Sequence, residues 1–356
     1  MARSCVFLVP GDWNSRTGGY LYDRRIVDEL RARGWRVEVF SPGEGYPFPD
    51  AADLAHAAQV VGALPDGACV VADGLGFGVL PELAERHAQR LCWVALVHHP
   101  LALETGLTPA QQHLLDRSER RALAWARGVV VTSAATAKAL AAYGVPAGRV
   151  AVVEPGTERA PWAVGGGAGP GALSMLCVAT LTPRKGHAVL IEALAGLRDR
   201  PWVLHCAGSR ARDPAEAERV DALVAQQGLG ERIRWHGEVE GAALEALYAR
   251  ANLFVLPSLH EGYGMALAEA LAHGLPVVST TAGAIVDTVP AEAGVLVPPG
   301  DVHALRGALR RAMDEPAWRA ALATGARHAA GRLPRWADAG ARFEQSLLRA
   351  IDAGSP

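Results

Sequence analysis

The sequence predicts an α/β protein of two domains, each a parallel sheet covered by helices on both faces. Short apolar runs alternate with helical stretches along most of the chain, as strands and helices of such a fold do. The Gly-rich segment WAVGGGAGPGAL at 162–173 interrupts that alternation, and 356 residues suffice for two cores. We therefore predict an N-terminal domain at 1–160, a hinge at 161–173, a C-terminal domain at 174–335 and a final helix at 336–356.

Short runs rich in apolar and β-branched residues predict the strands. In the first domain they are Cys5–Pro10, Val37–Phe40, Cys69–Ala72, Trp93–Val97, Val129–Thr132 and Val150–Val153. In the second they are Ser174–Ala179, Trp202–Ala207, Ile233–His236, Leu253–Pro257, Val277–Ser279 and Gly294–Val297. Because helical stretches separate consecutive strands, we expect the strands to be parallel.

The first helix is predicted at Tyr20–Arg33, because Ile26, Val27 and Leu30 recur at helical spacing. Its charged residues are predicted to face solvent: Asp23, Arg24, Asp28 and Arg31. Gly34 then occupies the position just past the helix, where a left-handed residue is common.

Periodicity also predicts helices further along the chain. They are Ala134–Tyr143, His187–Leu197, Glu216–Gln227, Ala242–Arg250, Met265–His273 and Val302–Asp314. In the final helix one face is apolar: Trp336, Ala339, Phe343, Leu347 and Ala350. That face must pack against one of the domains, and the pattern does not say which.

Composition excludes several classes of protein. A net charge of -2 gives no overall attraction to nucleic acid. The five cysteines are scattered without metal-site or disulfide spacing and read as buried thiols. No apolar run reaches the ~20 residues of a membrane-spanning helix. We expect a cytoplasmic protein and leave peripheral contact with the inner membrane surface open.

The basic residues are almost all arginine. Of 35 lysines and arginines only Lys138 and Lys185 are lysine, which leaves 35 − 2 = 33 arginines. A GC-rich genome explains the excess of arginine, although not why these two lysines remain.

The loop between the first strand and the first helix contains Gly18 and Gly19. Backbone N–H groups at a helix N-terminus attract anions, and glycine lets an anion approach closely. Two glycines also suit an ordinary turn, and the dinucleotide pattern GxGxxG is absent.

A basic turn follows the first strand of the second domain. Arg184 and Lys185 lie there, just before a predicted helix. Parallel sheets bind ligands beyond the carboxyl ends of their strands, so two cations at this position suit a diphosphate. Elsewhere the same pair would read as a solvated turn.

The third candidate is the run PSLHEGYGMALAEALAHGLP at 257–276. Glu261 and Glu269 are eight positions apart, so one lies before a helix and the other on it. Apolar residues surround Glu269 in the sequence, and a carboxylate there needs a hydrogen-bond partner.

These segments together resemble glycosyltransferase family 4. The resemblance rests on EGYGMALAE, PRKGH, the N-terminal GGY loop and GVLVPPGD at 294–301. It implies the GT-B fold, two Rossmann-like domains across a cleft, with closure about the 161–173 hinge. The implied reaction is retaining transfer of a sugar from a nucleotide-sugar donor, without a metal ion or other cofactor.

The resemblance also implies roles for individual residues. Glu269 would bind the ribose and Glu261 the donor sugar. Arg184 and Lys185 would meet the diphosphate. The remaining donor-binding positions would be Gly18, Gly19, Gly262, Tyr263, Gly264 and Met265, and Leu296 would border the nucleotide.

One position departs from the family pattern. Many members carry Gly-Arg where this chain has Ala179-Thr180. Arg184 would supply the missing charge, unless it points into solvent.

His98 and His99 follow the strand Trp93–Val97. The family places a histidine near the reacting sugar, and His98 is favoured because it comes first after the strand. Glu104 would bind either the acceptor or His98. No D-x-D pair occurs, so no metal-held diphosphate is indicated.

Rival functions are a non-catalytic nucleotide-sugar-binding protein, a sugar-nucleotide epimerase and a phosphorylase of the same fold. A phosphorylase needs a pyridoxal lysine, which neither Lys138 nor Lys185 suggests. The donor is expected to be UDP- or GDP-linked. The sequence does not identify the base, the sugar, the acceptor (glycan, lipid or small molecule) or the oligomeric state.

Overall fold

The computed structural model describes residues 3–169 and 171–353. The chain forms two compact units: Met1–Gly156 with Pro334–Pro356 (unit 1), and Thr157–Leu333 (unit 2). Each described unit contains one six-stranded parallel sheet with helices. The predicted α/β class with parallel sheets is confirmed.

Unit 1 alternates strands and helices in chain order. Its strands are β1 Ser4–Leu8, β2 Arg36–Phe40, β3 Cys69–Asp73, β4 Cys92–Val97, β5 Gly128–Val131 and β6 Val150–Val152. Its first helices are α1 Gly18–Ala32, α2 Ala51–Gly62, α3 Gly74–Phe77, α4 Pro81–His87, α5 Pro109–Leu123 and α6 Ala134–Ala141. The sheet order is β2-β1-β3-β4-β5-β6. The chain adds β2 on one side of β1 and all later strands on the other side, so the strand order reverses between β1 and β3.

Unit 2 repeats the scheme. Its strands are β7 Leu173–Val178, β8 Trp202–Ala207, β9 Ile233–Trp235, β10 Leu253–Leu256, β11 Val277–Thr280 and β12 Gly294–Val297. Its helices are α7 His187–Ala195, α8 Pro214–Gln226, α9 Gly241–Arg250, α10 Met265–Ala272, α11 Ile285–Thr288, α12 Val302–Asp314 and α13 Pro316–Ala330. The order β12-β11-β10-β7-β8-β9 places the reversal between β7 and β10.

Two helices of unit 1, α2 and α5, were not among the predicted helices. Residues 42–53 and 101–112 lead into α2 and α5, which begin at Ala51 and Pro109. Asp50 and Thr108 cap these helices through capping boxes with the residues three positions later. A cap residue that satisfies the first free N–H groups is a sequence signal for such a helix start.

The predicted end of the first helix is confirmed. α1 stops at Ala32, and Gly34 follows in the left-handed conformation with a φ of 85°. The Trp35 N–H then bonds the Leu30 carbonyl, which satisfies one of the last free carbonyls of the helix.

The predicted hinge segment makes backbone hydrogen bonds within unit 2. The N–H groups of Ala163 and Val164 donate to the carbonyls of His273 and Ala249, each at 2.8 Å. The role of this segment as a hinge stays a prediction.

The last helix, α14 at Trp336–Asp352, belongs to unit 1 although it follows unit 2 in the chain. Its predicted apolar face is buried, and Phe343 stacks on Phe7 of β1 with ring centroids 6.0 Å apart. The Glu344 carboxylate accepts a hydrogen bond from the Trp35 indole at 3.0 Å. Unit 1 is therefore completed by the last helix of the chain.

Replacing Phe343 with alanine should lower the free energy of unfolding of unit 1 by about 3–5 kcal/mol, because a fully buried aromatic side chain leaves a cavity. Urea unfolding followed by circular dichroism measures the loss. Gln345→Ala, on the exposed side of the same helix, is the matched control and should change stability by about 0.5 kcal/mol or less. Equal effects of the two changes would contradict the packing of α14 described above.

Candidate active site

The carboxyl ends of β7 and β10 bring together residues that are far apart in the sequence. The turn after β7 carries Lys185 and the loop after β10 carries Glu261. Because the two strands are neighbours, the Lys185 Nζ lies 2.6 Å from the Glu261 Oε1. Crevices of parallel sheets open where neighbouring strands send their connections in opposite directions, as these two do.

Glu261 is the centre of a small charged group. Its side chain is 7% exposed, and Oε1 also accepts a hydrogen bond from the Ser258 hydroxyl at 2.6 Å. Arg184 Nη1 lies 3.6 Å from Oε2 and donates to the His260 carbonyl at 2.9 Å. The Arg184 side chain is 18% exposed and is directed at protein atoms rather than into solvent.

The ionisation of Glu261 follows from these contacts. Burial would raise its pKa, but the charges of Lys185 and Arg184 and the hydrogen bonds outweigh burial and lower the pKa below its ordinary value. One carboxylate between two cations leaves a net charge of about +1 in this group, which suits an anionic ligand.

Close backbone contact holds the two loops together. Gly186 has a φ of 71°, and a Cβ built on it would lie 2.1 Å from the Pro257 carbonyl oxygen. The Leu259 N–H donates to the Arg184 carbonyl at 2.7 Å. Only glycine fits at position 186, because any side chain would collide with the Pro257 carbonyl of the glutamate loop.

Gly262, Tyr263, Gly264 and Met265 lead from Glu261 into α10. Gly264 caps the helix with a φ of 90°, and Met265 is its first residue. The Thr288 hydroxyl donates to the Tyr263 carbonyl at 2.7 Å and fixes this turn. The first N–H groups of a helix lack intrahelical partners and carry partial positive charge, so the turn can receive an anion or hydroxyl oxygen.

Glu269, on α10, has the partner that its apolar surroundings require. The buried Tyr248 of α9 donates its hydroxyl to Glu269 Oε2 at 2.9 Å. The Tyr248 ring also stacks on His273 with centroids 4.5 Å apart. Sequence reasoning missed Tyr248, because the spacing within one helix does not reveal which side chain lies across from it.

In unit 1, Gly18 and Gly19 are the first residues of α1, with Thr17 as the N-cap. A Cβ on Gly19 would lie 3.3 Å from His98 Cδ2, so the helix begins directly against the imidazole ring. The two predicted glycines and the predicted histidine therefore form one group.

The partners of His98 differ from those expected. Its Nε2 lies 3.2 Å from Asp23 Oδ1 and 3.3 Å from Asp73 Oδ2. Glu104 instead pairs with His99, at 3.3 Å between Oε2 and Nε2. Glu104 was expected at the acceptor or at His98; the structure pairs it with His99, and a contact with the acceptor stays a prediction.

The prediction that Asp23 faces solvent is also wrong. Its side chain is 1% exposed. Asp23 shares the buried stripe of α1 with Ile26, Val27 and Leu30, which follow at spacings of three, four and seven residues. The prediction followed the charge of Asp23 and not its spacing from these apolar residues.

Asp23, Asp73 and His98 also have the composition of a metal site. One candidate ligand atom from each lies within 4.8 Å of the others. His98 Nε2 forms a hydrogen bond with Asp23 Oδ1 and lies 3.3 Å from Asp73 Oδ2, so an imidazole between two carboxylates accounts for the arrangement. We interpret it as a hydrogen-bonded triad.

Comparison with known proteins adds the class of enzyme and the fold. Residues 69–160 match the family described as Glycosyltransferase Family 4, and residues 172–315 match the family described as Glycosyl transferases group 1. A D-inositol 3-phosphate glycosyltransferase of Thermomonospora curvata is 28% identical over 372 residues, which cover 88% of this chain and 86% of the relative. Both family models describe glycosyltransferases, and the chain is a glycosyltransferase.

Solved structures agree with the glycosyltransferase fold. Sucrose-phosphate synthase of Thermosynechococcus elongatus has a TM-score of 0.81 at 24% identity, over 96% of this chain and 98% of the other. HepE of Anabaena, in complex with UDP-glucose, has a TM-score of 0.75 at 18% identity, over 96% and 99%. The fold of this glycosyltransferase is of the GT-B type, and the alternatives of a binding protein or an epimerase receive no support. No helix among the described residues is long and apolar enough to cross a membrane.

The Tyr248→Phe variant of the glycosyltransferase should lose about 1–3 kcal/mol of stability, since it removes a hydrogen bond to a carboxylate. Thermal melting of the variant measures this loss. In a Glu269→Gln background the same change should have a smaller effect, because the charged acceptor is gone. Identical losses in the two backgrounds would show that the hydroxyl does not act through Glu269.

Proposed function

We propose that this glycosyltransferase transfers a sugar from a nucleotide-sugar donor with retention of configuration and without a metal ion. The observation that carries the proposal is the Lys185–Glu261 ion pair, 2.6 Å long, beside Arg184 at the carboxyl ends of β7 and β10. A compact cationic group at that edge suits the diphosphate of an activated sugar. The complex of HepE with UDP-glucose supports a donor of this class.

Each residue has a role in this proposal. Arg184 and Lys185 bind the diphosphate, and the N–H groups of Gly262, Tyr263, Gly264 and Met265 receive sugar and phosphate oxygens. Glu261 orients these cations and meets the donor sugar, while Glu269 accepts hydrogen bonds from the ribose hydroxyls. In unit 1, Gly18, Gly19 and His98 contact the donor. No residue is assigned to the acceptor.

The proposed chemistry needs no protein nucleophile. The bond between the sugar and the phosphate oxygen breaks, and its electron pair stays on the leaving diphosphate. The acceptor hydroxyl forms the new glycosidic bond on the same face and gives its proton to that phosphate oxygen. Arg184 and Lys185 stabilise the negative charge where it develops, which is the main contribution of the protein. A retaining glycosidase would instead need a carboxylate nucleophile.

Replacing Lys185 with alanine should reduce transfer by about 100-fold or more, as the loss of one charge-stabilising donor does in other enzymes. Release of the nucleoside diphosphate is measured with UDP-glucose and with GDP-mannose. Donor binding is followed in parallel by thermal shift, since a ligand of the folded state raises its stability. Lys138→Ala changes the other lysine, which is exposed on α6, and is the matched control.

Lys185→Ala also leaves the buried Glu261 with one cation fewer, so some loss of stability is expected. The double variant Lys185→Ala with Glu261→Gln removes both charges and should recover part of the stability without recovering transfer. Full turnover by the folded Lys185→Ala protein would reject the diphosphate role.

Chelation should leave the transfer rate unchanged. Dialysis against EDTA, followed by assay with and without added Mg²⁺ or Mn²⁺, measures this. The cationic group at Arg184 and Lys185 takes the place of a metal ion at the diphosphate in the proposal. Loss of activity that a divalent ion restores would overturn the metal-independent mechanism and would direct attention to the Asp23–Asp73–His98 triad.

A further inference from the structure

Asp23 is a carboxylate buried on the face of α1 that packs inward, with a side chain 1% exposed. Burying a carboxylate is costly unless partners compensate its charge. Oδ1 lies 3.2 Å from His98 Nε2, but Oδ2 has no hydrogen-bond partner among the described residues. The fold therefore retains a carboxylate that is only half satisfied, which suggests a purpose other than stability.

Asp73, the last residue of β3, approaches the same ring nitrogen from another element. Its Oδ2 lies 3.3 Å from His98 Nε2. Its Oδ1 accepts the Leu75 N–H at 2.7 Å, which fixes the orientation of the carboxylate. Two carboxylates from different elements thus converge on one N–H of His98.

The remaining contacts hold the ring in one place. Tyr22 meets the His98 ring edge to face with centroids 5.5 Å apart, and Gly19 lies against Cδ2. The hydroxyls of Thr132 and Thr136 both donate to the His98 carbonyl at 3.3 Å. The titratable groups that face the ring are Asp23 and Tyr22 from α1 and Asp73 from β3.

The other ring nitrogen, Nδ1, has no hydrogen bond to any residue in 3–169 or 171–353. The His98 side chain is 21% exposed. A ligand oxygen can therefore reach a ring whose opposite side is fixed by protein.

The charge of the ring follows from its neighbours. Burial lowers the pKa of His98, but the charges and hydrogen bonds of Asp23 and Asp73 outweigh burial and raise the pKa to about 10. Burial raises the pKa of Asp23 to about 7, against the opposing effect of His98. Because two carboxylates share one imidazole, we expect the proton to stay on the ring at neutral pH.

We propose that Asp23 and Asp73 are positioning residues that hold His98 as an imidazolium, with its Nε2–H bound to them and its Nδ1–H presented to an oxygen of the sugar donor. This rests on the proposed contact between His98 and the donor. A neutral ring with its proton held on Nε2 would present a lone pair at Nδ1. The two carboxylates thus make Nδ1 a hydrogen-bond donor rather than an acceptor. A donor suits the phosphate oxygen of the sugar donor, which gains negative charge when the bond to the sugar breaks.

The first test reads the charge of the ring without any substrate. Long-range ¹H–¹⁵N spectra of ¹⁵N-histidine-labelled protein, assigned with His98→Gln, report whether both ring nitrogens carry protons. We expect both to be protonated from pH 6 to 8.5 in the wild type. In Asp23→Asn and Asp73→Asn the ring should lose a proton within that range, because a raised pKa falls when its carboxylate is removed.

The second test measures turnover. The substrate is UDP-glucose or GDP-mannose, depending on which of the two the wild type uses. Each variant should lower kcat by about 10–100-fold. Removing a group that orients a metal-binding residue has an effect of this size in other enzymes. The loss should be greatest at high pH, where the variant ring is neutral. In a His98→Gln background the same changes should have little further effect, since their action passes through His98.

Controls separate positioning from folding. Asp28→Asn, on the exposed side of α1, should leave spectra and kcat unchanged. Melting temperatures are compared throughout, and Asp73→Asn serves as the test if Asp23→Asn does not fold. Loss of activity only in proportion to lost stability would overturn the proposal.

Three further results would overturn it: a neutral His98 in the wild type at pH 7.5, a ring charge unaffected by both variants, or unchanged kcat in a variant whose ring has become neutral. Selective broadening of the His98 signals by stoichiometric Mn²⁺ would also overturn it, by making the triad a metal site. If the wild type turns over no nucleotide sugar, the proposed function fails, while the spectra still decide the charge of the ring.

Discussion

The direction of the strands determines where this protein can do chemistry. In each unit the chain starts a sheet at its middle and then adds strands on both sides, so the connections after two neighbouring strands diverge. The charged groups lie at these points: Lys185 and Glu261 after β7 and β10, and Asp73 at the end of β3. The same topological rule thus locates a cationic group in unit 2 and an acidic one in unit 1.

Both groups place ionised side chains where burial disfavours charge, and both compensate with opposite charge. Glu261 lies between two cations, so its pKa stays low and the group keeps a net positive charge. His98 lies between two carboxylates, which raise the pKa of the ring. Ion pairs of this kind contribute little to stability compared with apolar packing. In the proposed mechanism, these groups hold a charge in one orientation before a substrate arrives.

The sequence predicted the architecture well because strands buried on both faces are continuous apolar runs, as β4 is. It named Lys185, Glu261 and His98 as candidates because their segments are local patterns. It did not find Tyr248, Ser258 or Asp73, whose importance comes only from neighbours on other elements. Asp23 was assigned to the surface, because residue type was weighed above helical position. The C-terminal helix was predicted, but an amphipathic pattern does not identify the domain against which its apolar face packs.

The position of α14 has a consequence for synthesis on the ribosome. Unit 2 is inserted within unit 1, so the first strand of the protein is made early and its covering helix last. Until residues 336–352 emerge, Phe7 lacks the Phe343 ring that stacks on it. Unit 2, whose residues are contiguous, can close its own core sooner. A ribosome-bound chain should therefore complete its second unit before its first, and loss of α14 should destabilise the unit whose synthesis began first.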